Sequence, residues 1–166
     1  MKVINVHERV LPASLTQIGK LIDNLASSDD KLWPRDQWPA MKFDRPLSVG
    51  AVGGHGPIRY EVERYQPGQS IQFRFTQPKN FLGSHGFEIE MVEGEKTRLR
   101  HIIEMQVQGM DWLSWHFVIR PLHDALIEDA LDQAELYIGG RPAQRNWSSW
   151  VRFLRRVMSR RRSSKN

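Results

Sequence analysis

Residues 111 to 138 carry the longest run of helical periodicity in the chain. Stepping by three and four from Trp115 meets Ile119, Leu122, Leu126, Ala130, Ala134 and then Tyr137 or Ile138, an apolar stripe that buries one face of a long C-terminal helix. Asp124, Glu128, Asp129, Asp132 and Glu135 fall on its other face. Gly109 before it and Gly139-Gly140 after it bracket the pattern. Pro121, well inside it, predicts a kink or a split, because proline has no N–H and its ring crowds the preceding turn.

Everything before this helix reads differently. Residues 2 to 10 alternate, with Ile4, Val6 and Val10 on the predicted buried face and Lys2, Asn5, His7 and Arg9 off it. Ser14 caps a short helix carrying Leu15, Ile18, Leu21, Ile22 and Leu25 at 3.6-residue spacing, and Ser27 to Asp30 break it. Residues 31 to 57 read as irregular and end in the glycine run G-A-V-G-G-H-G-P. That run has no G-K-[ST] and no helix behind it, so it predicts a flexible strand edge beside a cavity mouth, not a phosphate loop. Four alternating segments follow, 58–65, 71–76, 85–92 and 97–107, joined by short turns, which predicts an antiparallel meander. Its dry face is expected to hold Ile58, Tyr60, Val62; Ile71, Phe73, Phe75; Phe87, Ile89, Met91; and Leu99, His101, Ile103, Met105, Val107. Arg59, Glu61, Glu63, Arg74, Glu88, Glu90, Arg98, Arg100 and Glu104 make the wet face.

Charge changes this picture at one place. The net +5 divides into −4 over residues 1–140 and +9 over residues 141–166, a segment with nine Lys/Arg and no acid. The chain is therefore read as a body, 1–140, and a basic tail, 141–166. Projected at helical spacing, Trp147, Trp150, Val151, Leu154, Val157 and Met158 gather on one side, with Arg152, Arg155 and Arg156 opposite and Arg160 to Arg162 beyond. The apolar stripe can dock on the acidic body, which ranks first. It can instead meet an anionic membrane through Trp147, Trp150, Arg152, Arg155 and Arg156, which ranks second. Nucleic acid ranks last, since tryptophans on a coherent apolar face favour burial over phosphate contact. With 166 residues the chain is about one domain's worth. Zero cysteines exclude disulfides and thiolate metal sites. No segment reads as a signal peptide or a membrane span, so the default location is cytoplasmic, with peripheral membrane attachment added only by the tail.

The stretches G-H-G-P-I-R-Y-E-V-E-R-Y-Q-P-G, S-H-G-F-E-I-E, T-R-L-R-H and R-P-L-H-D-A-L-I-E-D-A-L-D-Q-A-E, in the order strand, short helix, meander, long helix, resemble the START-like (SRPBCC) superfamily of polyketide cyclases and pollen-allergen-type lipid binders. The resemblance covers about residues 1–140. It implies an α+β helix-grip fold, a curved antiparallel sheet wrapped around the C-terminal helix, with a cavity between them that takes apolar ligands. It implies no particular reaction, because the superfamily has no universal catalytic signature.

The expected cavity wall is Tyr60, Phe73, Phe75, Phe87, Met91, His101, Met105, Trp112, Trp115, Ile119 and Leu122, aromatic-rich with few polar groups. A fully packed core is the competing expectation. His101, on the dry face, needs a buried partner, which is either a neighbouring protein group or a ligand. Arg64 stays in phase with Tyr60 and Val62 and is expected at the cavity end. His101, Tyr60 and Arg64 are thus the candidates for proton transfer if the chain is a cyclase- or dehydratase-type enzyme. His116 and His123 lie seven apart without H-E-x-x-H and are expected at the surface or rim, so no metal and no cofactor is expected. The leading expectation is binding of a small apolar or aromatic molecule. The alternatives are such an enzyme or a docking module acting through its tail.

Overall fold

A computed structural model describes residues 1–163. Side chains beyond Met158, including those of Arg160 to Arg162, lie outside the described residues. The chain runs β1 (Lys2–Leu11), α1 (Leu15–Asp23), β2 (Lys42–Phe43), β3 (Val52–His55), β4 (Ile58–Gln66), β5 (Ser70–Gln77), β6 (Phe81–Val92), β7 (Lys96–Val107), α2 (Asp111–Ser114), a π-helical turn (Trp115–Ile119), α3 (Arg120–Tyr137) and α4 (Ser149–Ser163). The strands form one antiparallel sheet in the order β1-β7-β6-β5-β4-β3-β2. The first strand thus closes the meander against the last.

Ser14 caps α1 through a hydrogen bond accepted from the Gln17 N–H at 3.3 Å. Gly19 lets α1 lie against the β4–β5 turn, since a Cβ there would sit 2.4 Å from the Gly68 carbonyl oxygen. Asp23 fixes the same contact by accepting from the Tyr65 hydroxyl and the Gly68 N–H, both at 2.8 Å. The segment expected to be irregular contributes β2 and β3. These are two and four residues long, and Gly53 and Gly54 carry no side chains from which an alternation could be read.

The sheet departs from its expected faces in three places. The phase of β1 is inverted: Ile4, Val6 and Val10 are exposed, while Asn5, His7 and Arg9 point inward and only the end residues Val3 and Leu11 supply apolar burial. The cause is what lies opposite. The acidic face of α3 packs on this edge strand, so polar partners are needed there. Arg9 donates to Glu128, Asp132 and Glu135 at 2.8 to 3.1 Å, and Asn5 donates to Asp124 at 2.9 Å. In β4 a bulge between Val62 and Arg64 advances the chain by one position, so that Val62 opposes Phe73 but Arg64 opposes Gln72. Arg64 therefore turns out to solvent and Tyr65 takes its inward place. Met91, expected on the wall, is 68% exposed beside the β6–β7 turn. Inner-face burial already fades at Ile89, and Glu93 to Glu95 at the hairpin tip are fully out.

Pro121 does split the C-terminal helix, at its start. It occupies the first turn of α3, directly after the π turn. The wider turn rotates the helix, so that Trp115 and later Leu126, Ile127, Ala130, Leu131 and Ala134 are buried while Trp112, one turn earlier, is 43% exposed.

Helix α4 docks on the body. Val151 and Leu154 are buried, and the indoles of Trp38 and Trp147 both donate to Asp129, at 2.7 and 3.0 Å. The Arg155 guanidinium lies over both rings, 4.2 Å and 3.9 Å from their centres, and donates to the Gln37 carbonyl. Arg145 pairs with Glu128, and Arg152 donates to Ser149. Part of the face that would enter a leaflet is therefore turned onto the body, while Trp150 and Phe153 stay about half exposed. No helix among the described residues is long and apolar enough to cross a membrane.

Candidate functional site

A row of imidazoles crosses the interior from β3 to β1. His55 Nδ1 is 2.9 Å from the Tyr60 hydroxyl. The Tyr60 ring meets His85 edge-on at 4.7 Å, and His85 Nδ1 stands 3.4 Å from His101 Nε2. The His101 ring lies 5.0 Å from that of His123, which lies 5.9 Å from that of His7. Phe73, Phe75 and Phe87 pack on this row with ring centres 4.7 to 5.1 Å away. Each histidine comes from a different strand except His123, which α3 supplies.

Burial sets the chemistry of the row. His55 is pushed down to about 3, chiefly by loss of water, and the same cause holds His85 and His101 well below the ordinary imidazole range. His123 is lowered in the same way, while burial raises Tyr60, which keeps its proton. The interior imidazoles are thus neutral at pH 7, each with one donor and one acceptor. His85 and His101 spend one apiece on each other. Whichever of them donates, their far nitrogens, His85 Nε2 and His101 Nδ1, present one donor and one acceptor. Both are buried without a hydrogen-bond partner among the described residues. His7 behaves oppositely: burial disfavours its charge, but hydrogen bonds to Asp124 and Glu128 outweigh that and raise its pKa.

Of the expected wall, Tyr60, Phe73, Phe87, His101, Met105 and Trp115 are buried. They do not form one surface. Tyr60, Phe73 and Phe87 belong to the main core with α1 and α3. Met105 and Trp115 pack with Val3, Phe81, Ile103 and Val107 in a second cluster, and Phe75 and Ile119 touch both. Leu122 is half-buried against the main core. Met91, Trp112 and Arg64 stand outside. His123, expected at the rim, has its side chain only 11% exposed, whereas His116 is exposed as expected. His7, His55, His85 and Phe81 were not among the expected site residues. Only His85 left a signal, standing two residues before Phe87 and in phase with it.

Open concavities flank the sheet among the described residues. One, of about 740 Å³, lies over its outer face between Arg64, Gln72, Ser84, Glu88 and Glu104. Another, of about 710 Å³, opens at the β2–β3 edge between Trp38, Phe43, Gly53, Gly54, His55 and Arg59, and His55 joins it to the imidazole row.

A curved antiparallel sheet closed over a long, interrupted C-terminal helix is the helix-grip architecture, and the chain has the fold of the START-like, Bet v 1-type superfamily. Solved structures with this fold include CalU16 from Micromonospora echinospora, 12% identical with a TM-score of 0.58 over 99% of this chain and 96% of that one. Ara h 8.0201 is 9% identical, TM-score 0.57, over 84% of this chain and all of its own. A norcoclaurine synthase point mutant from Thalictrum flavum, in complex with a transition state analogue, is 13% identical, TM-score 0.61, over 84% and 97%. No protein-family model matches the sequence, and no curated protein matches it.

Proposed function

We propose that the chain binds a small hydrophobic or aromatic molecule carrying a hydroxyl or carbonyl group, between the sheet and α3. The observation that carries this is the pair of unpartnered nitrogens on His85 and His101, set among Tyr60, Phe73, Phe75 and Phe87. A buried polar atom left without a partner costs about 1–3 kcal/mol. A hydroxyl both donates and accepts, so such a group on an aromatic ligand can satisfy whichever of the two nitrogens it reaches, in either tautomer. The concavity at the β2–β3 edge is the entrance in this reading, with His55 at its inner end and glycines that leave its wall thin. The same fold in norcoclaurine synthase with a bound transition state analogue supports the use of this architecture for organic ligands.

Native mass spectrometry of the freshly purified chain tests the proposal. A bound species of a few hundred daltons, lost from His101→Phe but retained by His116→Gln, is the expected result. Bare wild-type protein that also fails to bind an apolar fluorescent dye overturns it.

A second reading, cyclase- or dehydratase-type chemistry, is favoured by two neutral hydrogen-bonded pairs, Tyr60–His55 and His85–His101, each able to exchange a proton with a bound substrate. Turnover of a bound polyketide-like substrate that survives Tyr60→Phe and His101→Phe would remove it.

A further inference from the structure

At the β1 end of the row, where α3 crosses the edge strand, His7, His123 and Asp124 each offer a ligand atom, all within 4.8 Å of one another. We propose that these three residues form a binding site for a divalent transition metal ion of the zinc class. This rests on a different observation from the ligand site and does not depend on it.

The first argument is a mismatch of donors and acceptors. His7 Nδ1 is 2.8 Å from Glu128 Oε1, and a carboxylate there takes the ring's N–H. In the neutral ring that leaves a lone pair on Nε2, which faces Asp124 Oδ1 at 3.1 Å. Two lone pairs at that distance repel unless a proton or a metal cation lies between or beside them. Asn5 already gives Asp124 Oδ1 one hydrogen bond at 2.9 Å, and Arg120 lies 3.6 Å from Oδ2, so the carboxylate is held from both sides.

The second argument is His123. Its Nδ1 stands 3.6 Å from Asp124 Oδ1, and both of its ring nitrogens are buried with no hydrogen-bond partner among the described residues. Coordination of one nitrogen answers that directly.

The donor set selects the ion. Two imidazoles with one carboxylate suit zinc and its neighbours, whereas magnesium and calcium prefer oxygen throughout. Three protein ligands leave a fourth tetrahedral position for water or a small ligand. Glu128 on the far nitrogen of His7 is the outer carboxylate that commonly orients a metal-binding imidazole. Arg9 in turn holds the other Glu128 oxygen at 3.1 Å. His116, which shares the helix segment but is exposed, takes no part.

Chelator-stripped full-length chain titrated with zinc chloride in a calorimeter tests the site. One ion per chain is expected, with an apo melting temperature that rises as zinc is added. His7→Gln, His123→Gln and Asp124→Asn should lower uptake to background, Glu128→Gln should weaken it about 10- to 100-fold, and His116→Gln should leave it unchanged. Cobalt(II) in place of zinc gives a readout for any variant whose fold is perturbed, because wild type should then show the intense visible bands of a four-coordinate N/O site. No stoichiometric uptake by wild type overturns the proposal, with His7 then an imidazolium bridging two carboxylates. Uptake that survives both His7→Gln and Asp124→Asn overturns it as well.

Discussion

The indole Nε1 of Trp150 donates a 2.7 Å hydrogen bond to the backbone carbonyl of Phe117. Four residues on from Phe117 stands Pro121, which has no N–H to give that carbonyl. A side chain from the tail thus gives this carbonyl a donor in place of the one that Pro121 lacks.

Trp150→Phe should lower stability by about 0.5–1.5 kcal/mol, the net worth of one hydrogen bond, since the stacked ring of Phe153 keeps most of its contact. A chain ending at Gly140 should lose more, because Val151 and Leu154 are each worth about 1.5–3 kcal/mol of burial. Urea denaturation of the three proteins orders them. Equal midpoints would show that the tail is not docked.

Acid should unfold the chain early. The unfolded imidazoles of His55, His85 and His101 take up protons near 6.5, while in the folded state they resist until far lower, about 3 for His55. The unfolded state therefore binds more protons below 6.5, and stability falls with pH at up to about 1.4 kcal/mol per unit for each. His7 has the opposite sign: its folded pKa is raised, so its contribution is full below 6.5 and is lost as pH rises through the folded value. Urea midpoints should thus drop from pH 7 to pH 5, and His85→Phe should flatten the slope. A midpoint independent of pH over that range contradicts the buried neutral row.

Arg9 is the hub of the polar contact between β1 and α3, with its side chain only 16% exposed among three carboxylates. Arg9→Met should cost about 2 kcal/mol, less than the ~3–5 of a fully buried pair because the carboxylates keep some water. Glu135→Gln should cost less than half as much. Thermal melts of the two variants at low and high salt check the ordering, and equal losses would mean that Arg9 acts through packing alone.

Phe73→Ala should cost about 3–5 kcal/mol, as for any filled core position, and Met91→Ser should stay within about 0.5 kcal/mol of wild type. The pair separates the inner face as it is from the inner face that strict alternation would draw. A large loss from Met91→Ser would restore Met91 to the wall.

The contrast between these two residues shows what could be read from residue order. Alternation located β4 to β7 and put Tyr60, Phe73, Phe87 and His101 inside, because a meander with one buried face writes its pattern plainly. It could not see the bulge at Glu63 that turns Arg64 outward, since one extra residue leaves no mark in the composition. The phase of β1 was legible only backwards. Its hydrophobics point out because the acidic stripe of α3 points in, and neither fact can be known without the other. The imidazole row was hidden for the same reason: His7, His85, His101 and His123 are far apart in the chain, and each alone looks like an ordinary surface or core histidine.

The partnership of β1 with α3 also bears on how the chain reaches this structure. Asn5 meets Asp124 across 119 positions and Arg9 meets Glu135 across 126, while the amino terminus itself bonds the Val107 carbonyl. A segment made early must wait for segments made much later, an arrangement that slows folding for a given size. Until β7 emerges during synthesis, β1 has no strand to pair with, and until α3 follows, Arg9 has no neutralising partner. A nascent chain therefore passes through a stage with one unpaired sheet edge, the state in which β-proteins most readily pair with the wrong neighbour.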